Sequence, residues 1–469
     1  MPSGSRTRPT RPYKEGVMSR TQMDLTHGPI FRKLLLFSLP IFLGAIITEM
    51  YNVVDSIIVG RFIGPNALAA VSACSPSTNI INMFLIGLQT GASVVVAQKV
   101  GAHDKKHLQD AVGTIAALTL IASVILVTGG LLISNPLLVL MNTPEEIFQD
   151  ASWYMMIIFI GAAGNLIYNV GSGILRGMGD STWPFIFLLL CAFLNLVLDL
   201  IAVNVLHLGV AGAAAATAIA QFISGLGVVY RLNRSDYGVT LNPRAYRIVR
   251  PEALLLASVA LPAGVQNIGN TLAALFMQSY VNHFGASFAA ANNIVNKIEN
   301  FSYIPIVAVS SAVCTFVGQN IGCGQLKRVH KGINQSIAFL TILGVFLCIL
   351  LKFARNIVPL LFTTDVDVAA TAAVGLGIIC YVTTFNGIDR VLLNAMRAAG
   401  RSVVPMITAQ FGCFSRIFFG YLLAMRTEDY RGIFYALLLA SFARMSAIAI
   451  YYYCGSGKRA IDNFGSKAA

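Results

Sequence analysis

Charge is scarce in this sequence. Only 11% of the residues are Asp, Glu, Lys or Arg, and acids are the rarer kind, with 20 Asp and Glu against 33 Lys and Arg. A soluble domain carries roughly a quarter charged residues, so a mean hydropathy of +0.72 excludes an ordinary water-soluble fold. Motifs for covalent chemistry are missing as well. The chain has no Walker A loop, no nucleophile motif and no zinc-ligand spacing, so nothing classes it as an ATP-driven pump in its own right or as an enzyme. The cysteines at 74, 191, 314, 323, 348, 380, 413 and 454 lie in or beside apolar segments without close pairs and read as reduced packing residues. The six histidines fall in loops or at segment ends. No metal and no cofactor is expected. About the first 20 residues are basic and polar without an apolar core, which reads as a tail rather than a signal peptide.

What the chain has in abundance is apolar length. Twelve stretches, at about 34–59, 67–97, 112–133, 150–173, 183–206, 209–231, 253–281, 288–317, 333–354, 370–396, 403–424 and 431–454, are each long enough to cross the ~30 Å hydrocarbon core as a helix. Basic clusters alternate with them in phase. Arg6 to Lys33, Lys99 to Lys106, Arg176, Arg231 to Arg250, Lys327 to Lys331, Arg397 with Arg401, and Lys458 to Lys467 fall on one side. The positive-inside rule makes that side, and both termini, cytoplasmic. The net charge of +13 is then a topology signal, and no nucleic-acid partner is expected.

The sequence also repeats. Leu175 to Pro184 returns as Met396 to Pro405, matching Arg176 with Arg397, Gly179 with Gly400, Ser181 with Ser402 and Pro184 with Pro405. The same offset carries Gly64 onto Gly285, Gln98 onto Gln319 and Gly101 onto Gly322, while Pro40 meets Pro262. Six spans per copy place both halves in one orientation, related by an axis along the membrane normal, and a transport site is expected between them.

Five carboxylates fall in or near apolar segments: Glu49, Asp55, Asp199, Glu299 and Asp389. An acid at mid-membrane costs about 2.5–3.5 kcal/mol even on the lenient insertion scale, so each needs a partner, water or a task. Asn52 shares a helix face with Asp55, and Asn195 precedes Asp199 by one turn. Amide and carboxylate pairs of this kind could hold a proton or a sodium ion, or could be satisfied packing contacts. Tyr154, Asn165, Asn169, Thr217 and Gln221 add polar groups in the same half. Glu49 points elsewhere around its helix, toward the second half or a water-filled mouth. Glu299 is expected to pair locally with Lys297, and Asp389 with neighbouring Arg390; Arg416 and Arg444 are either buried partners for these acids or snorkel to an interface. Across the repeat, Asp55 lands on Met277, Asp199 on Gly420 and Asn195 on Arg416. The ion site is therefore expected in the first half alone. Phe276, Tyr280, Phe301 and Tyr303 are expected to line the space between the halves and to favour bulky cations.

Five stretches carry a family resemblance: Asp24 to Gly44, Met50 to Ser72, Gly87 to Asp104, Ile174 to Pro184 and Phe316 to Gly324. Over residues 24–455 the chain resembles a bacterial member of the multidrug and toxic compound extrusion (MATE) family. The resemblance implies an all-α polytopic fold with twelve transmembrane helices in two six-helix lobes arranged as a V. It implies alternating access and export of organic cations in exchange for protons or sodium. In similar proteins the ion site contains the positions of Asp55, Asn195 and Asp199, with Tyr154, Asn169 and Thr217 at nearby polar positions, and Pro40 matches a proline associated with helix bending. Acids of the second-lobe cation site in the NorM-like branch align here with Asn270 and Asn386.

The resulting expectation is a cytoplasmic tail at 1–29, a first lobe at 30–231, a linker at 232–251, a second lobe at 252–455 and a second cytoplasmic tail at 456–469. The linker is expected to be cytoplasmic, lying on anionic lipid or simply obeying the positive-inside bias. Glu49 and Asn52 join Tyr154, Asn169 and Thr217 as cavity residues. The protein is expected as a monomer in the bacterial inner membrane, its partners the lipid bilayer and small organic cations. A lipid-linked oligosaccharide flippase is the alternative within the superfamily, favouring a strongly cationic cavity and extra helices; a receptor or membrane enzyme is the alternative outside it.

Overall fold

The computed structural model describes residues 22–241 and 246–468. Among them the chain is helical throughout: α1 (Ile30–Ile58), α2 (Pro65–Gly101), α3 (Lys105–Leu140), α4 (Glu145–Gly177), α5 (Thr182–Leu200) and α6 (Gly209–Asn233) form the first lobe. The second lobe comprises α7 (Arg250–His283), α8 (Ala286–Gly322), α9 (Leu326–Ala354), α10 (Val366–Ile379), α11 (Val382–Ala398), α12 (Val403–Gly420) and α13 (Arg431–Tyr453). A last helix, α14 (Gly457–Ala468), follows. Eleven of these helices are long and apolar enough to cross a membrane, and α10 with α11, bent by 45°, makes the twelfth span. The protein is a polytopic membrane protein.

Local sequence explains the breaks. Gly64 takes φ +120°, which side chains other than glycine rarely adopt, and Pro65 behind it opens α2 at a position that needs no N–H. Asp104 caps α3 by accepting from the His107 amide at 3.1 Å, and Asp365 caps α10 through the amides of Asp367 and Val368. Small residues bring α4 and α6 together. A Cβ on Gly164 would stand 2.7 Å from the Phe222 nitrogen, and one on Gly161 2.8 Å from the Ala218 Cβ, so these helices approach backbone to backbone.

The repeat extends to backbone dihedrals. Positive φ recurs at Gly64 and Gly285, His103 and Gly324, Gly179 and Gly400, and His207 and Glu428, all pairs of the same sequence offset. Both lobes also end their fifth span in a π-helical turn, Ile201–Val205 and Tyr421–Met425.

Three segments differ from simple loops and tails. Residues 22–29 lie as a strap across both lobes: the Met23 amide donates to Gly179 O at 2.9 Å, and the wholly buried Leu25 donates from its amide to Gln319 Oε1 at 3.2 Å. The linker is tied to α3, where Thr114 Oγ1 donates to Arg247 O and accepts from the Val249 amide, each at 3.0 Å. The terminal segment folds into α14, which buries Ile461 and meets His330 of α9 through Asp462 at 3.0 Å. Expected residues 1–21 of the first tail lie outside the described residues.

Candidate functional site

The polar residues of the first lobe converge in two adjoining places. At the first, α1 and α5 bring Asp55 and Asp199 into direct interaction. Asp199 is 0% exposed, and no hydrogen-bond donor is placed on either of its oxygens among the described residues. Asn195, one turn back on α5, donates to Thr217 Oγ1 at 3.0 Å, and that hydroxyl donates to Ala213 O at 3.1 Å. Tyr154 of α4 has both acids within electrostatic reach. Tyr51 completes the group, interacting with Thr217 and with both acids. It was missed in the sequence, although its place one turn before Asp55 puts it on the same face as that acid.

The second place is a cavity of about 620 Å³. Pro40, Glu49, Tyr51 and Asn52 of α1 line it, facing Asn82 and Gln89 of α2, Asn165 and Asn169 of α4, and Cys314 and Thr315 of α8. Asn169 Nδ2 donates to Asn165 O and Oδ1 at 2.9 and 2.6 Å. Pro40 sits inside α1 without ending it, where its ring removes one helical hydrogen bond on the cavity side. Tyr51 belongs to both places, lining the cavity and lying within electrostatic reach of the acid pair. The expected aromatics behave differently: Phe276, Tyr280, Phe301 and Tyr303 are not among the cavity residues, whose aromatic members are Tyr51, Tyr168 and Phe185.

The second lobe holds a different chemistry at the corresponding depth. Asp389 Oδ2 lies 3.0 Å from Arg444 Nε, and Arg444 Nη2 donates to Asn386 Oδ1 at 2.8 Å. Arg390, expected to neutralise Asp389, instead places its guanidinium 5.2 Å from the centre of the Tyr303 ring. Glu299 forms no ion pair with Lys297 among the described residues, and the charges that act on it are those of Arg416 and Arg444. Of the two arginines expected as partners of acids or as interfacial groups, Arg444 is the ion-pair partner of Asp389. Asn270 Oδ1 accepts from Cys413 Sγ at 3.2 Å.

The lobes meet at the ends nearest the termini. Gln98 of α2 donates to Ala398 O at 2.7 Å, and Gln319 of α8 donates to Gly177 O at 3.0 Å; Lys99 pairs with Glu252 at 2.8 Å. A Cβ on Gly101 would lie 2.0 Å from Gln319 O, and one on Gly322 2.2 Å from Gln98 O. The helices cross here on bare backbone. The π-helical turns at the far ends pack within their own lobes.

Known proteins share this organisation. The sequence profile named MatE matches residues 40–201 and again 262–422. The chain is 30% identical over 387 residues to "Probable multidrug resistance protein YpnP" of Bacillus subtilis, covering 82% of this chain and 86% of that protein. It is 29% identical over 355 residues to the "FAD transporter" of Shewanella oneidensis, covering 73% and 77%. Among solved structures, a MATE protein in the bent conformation superposes with a TM-score of 0.87 at 24% identity over 95% of this chain and 98% of the other. A profile that matches once in each lobe, with its boundaries on the two repeats, settles the family: the chain belongs to the MatE (multidrug and toxic compound extrusion) family.

Proposed function

We propose that this protein is a secondary active multidrug exporter that moves organic cations out of the cell in exchange for protons or sodium, by alternating access. The observation that carries the reading is the Asp55–Asp199 pair beside the cavity. Two carboxylates in a low-dielectric site repel, and a proton or a cation between them relieves the repulsion. The pair can therefore hold a coupling ion, with the Asn195 and Thr217 oxygens and the Tyr51 hydroxyl as neighbours. Release of that ion changes what Tyr51 and α1 pack against, and the wall of the cavity is made of the same residues. Ion and drug are linked through α1.

The lobes touch at the end bearing the termini, so with those termini in the cytoplasm this conformation is closed inward. The protein acts as a monomer in the inner membrane, as a carrier and not as an enzyme. The flippase alternative calls for a strongly cationic cavity, whereas this wall carries one arginine and one glutamate. The test is uptake of ethidium into inside-out proteoliposomes, driven separately by proton and sodium gradients. Gradient-driven uptake that disappears in Asp55→Asn and Asp199→Asn supports the reading; uptake that persists in the double variant removes the ion site from the first lobe.

A further inference from the structure

Arg176 and Arg397 occupy equivalent places in the repeat, each in the last turn of its helix, α4 and α11. Their sequence position reads as a topology signal, yet the structure puts Arg176 on the cavity wall. Its Nε is buried and unpartnered among the described residues, and the Tyr168 phenol acts on it electrostatically. The acid nearest in sequence, Asp180, is committed to Arg231 at 3.3 Å. Arg397 stands behind the same end of the cavity. Its guanidinium is hydrogen-bonded to Gln266 and, at 3.5 Å, to Asn394, a residue of the cavity wall. Its own Nε is buried and unpartnered, and Asp389, the acid within its field, is held by Arg444.

The cavity is thus bipolar. Glu49 and Arg176 are its two charged wall residues. Glu49 lies in the far half of α1, while Arg176 lies beside Gly177, at the closed end where Gln319 bridges the lobes. A half-buried guanidinium facing a cavity without a carboxylate partner is matched by an anion brought in by the ligand, because its planar fork pairs bidentately with a carboxylate or phosphate. Neutral polar groups of Ser93, Ser181 and Thr315 surround that end and suit the remaining oxygens of such a group.

We propose that Arg176 binds the carboxylate of the exported compound, so that the cavity selects organic zwitterions with the carboxylate at the closed end and the basic group toward Glu49. This rests on the export reading and narrows its substrate class. Rhodamine 110 and rhodamine 123 share one xanthene cation and differ in a free carboxylate against its methyl ester, which isolates the group in question. Binding of each dye to the purified full-length protein in detergent is followed by fluorescence anisotropy. The wild type should bind rhodamine 110 at least as tightly as rhodamine 123. Arg176→Gln should weaken rhodamine 110 by about tenfold or more while changing rhodamine 123 by less than about twofold, and Arg176→Lys, which keeps the charge and loses the fork, should fall between. Equal weakening of both dyes assigns Arg176 to packing and overturns the proposal, as does unchanged rhodamine 110 binding in Arg176→Gln. A wild type that binds rhodamine 123 and not rhodamine 110 refutes the carboxylate site alone, whereas binding of neither dye refutes the cavity as a drug site as well.

Discussion

Asp389 pairs with Arg444 on α13, 3.0 Å away, and not with the arginine that follows it in sequence. The carboxylate is 0% exposed and the arginine side chain 17%, so each charge depends on the other. Asp389→Asn should lower stability by roughly 3–5 kcal/mol, because it leaves an unpaired buried guanidinium. Adding Arg444→Met should recover much of the loss. Thermal unfolding of the detergent-solubilised variants measures both, and a single variant as stable as the wild type would show that the pair carries no structural load.

Tyr51 should matter to coupling without being indispensable. Removing its hydroxyl in Tyr51→Phe deletes an interaction with Thr217 worth about 1 kcal/mol, which predicts roughly a fivefold loss of gradient-driven export. Asp55→Asn and Asp199→Asn should each abolish it. Drug-induced ion release from purified protein distinguishes these cases: a Tyr51→Phe protein with wild-type release and transport would place the ring outside the coupling path.

The inter-lobe closure should fail when its glycines are filled. Gly101→Ala places a Cβ 2.0 Å from Gln319 O, and since that atom is backbone, the helices must separate. Gln98→Ala is milder, removing one hydrogen bond of about 1 kcal/mol. The native Cys314 lines the cavity and serves as the probe once the other cysteines are replaced. Its labelling from the terminus-bearing side should rise several-fold in Gly101→Ala and less in Gln98→Ala. Labelling of Gly101→Ala at the wild-type rate would mean that the crossing of α2 and α8 does not seal that end.

The strap should hold over a wide pH range. Burial opposes charge on Asp24, but hydrogen bonds from the Thr26 side chain and backbone and from His27, with the nearby Lys33 charge, win and keep its carboxyl below the ordinary carboxylate range. A depressed value means the stabilisation is complete above the ordinary pKa and is lost only as pH falls below it. Asp24→Ala should therefore cost about 1 kcal/mol at pH 8 and no less at pH 5. A penalty that shrinks by pH 5 would mean Asp24 is already protonated there.

Much of this architecture can be read in the sequence because a membrane makes length itself informative. An apolar run of about 20 residues must be a spanning helix, and the repeat shows which acids have no counterpart. Asp55, Asn195 and Asp199 follow from that asymmetry. Side-chain partnership is harder to read. Arg176 lies near a span end and looks like an interfacial charge until α1, α2 and α8 close a cavity around it. Arg390 adjoins Asp389 in sequence, but consecutive helical residues point about 100° apart, and the acid reaches another helix. The helix at Gly457–Ala468 has too few apolar residues to stand out, and its fold depends on Ile461 finding a site beside α8, α9 and α13.

The closure between lobes has one more consequence. Gln98 and its acceptor's counterpart Gly177 belong to the first half, Gln319 and Ala398 to the second, and Gly101 and Gly322 each receive the other half's backbone. Each half thus owns a complete set of donor, acceptor and bare crossing point. That is the self-complementary surface of a two-fold homodimer, written here into one polypeptide. A single half would possess everything needed to meet a copy of itself, and what the covalent join permits is divergence: two acids, Asp55 and Asp199, set against each other in one half, an acid set against a guanidinium, Asp389 against Arg444, in the other.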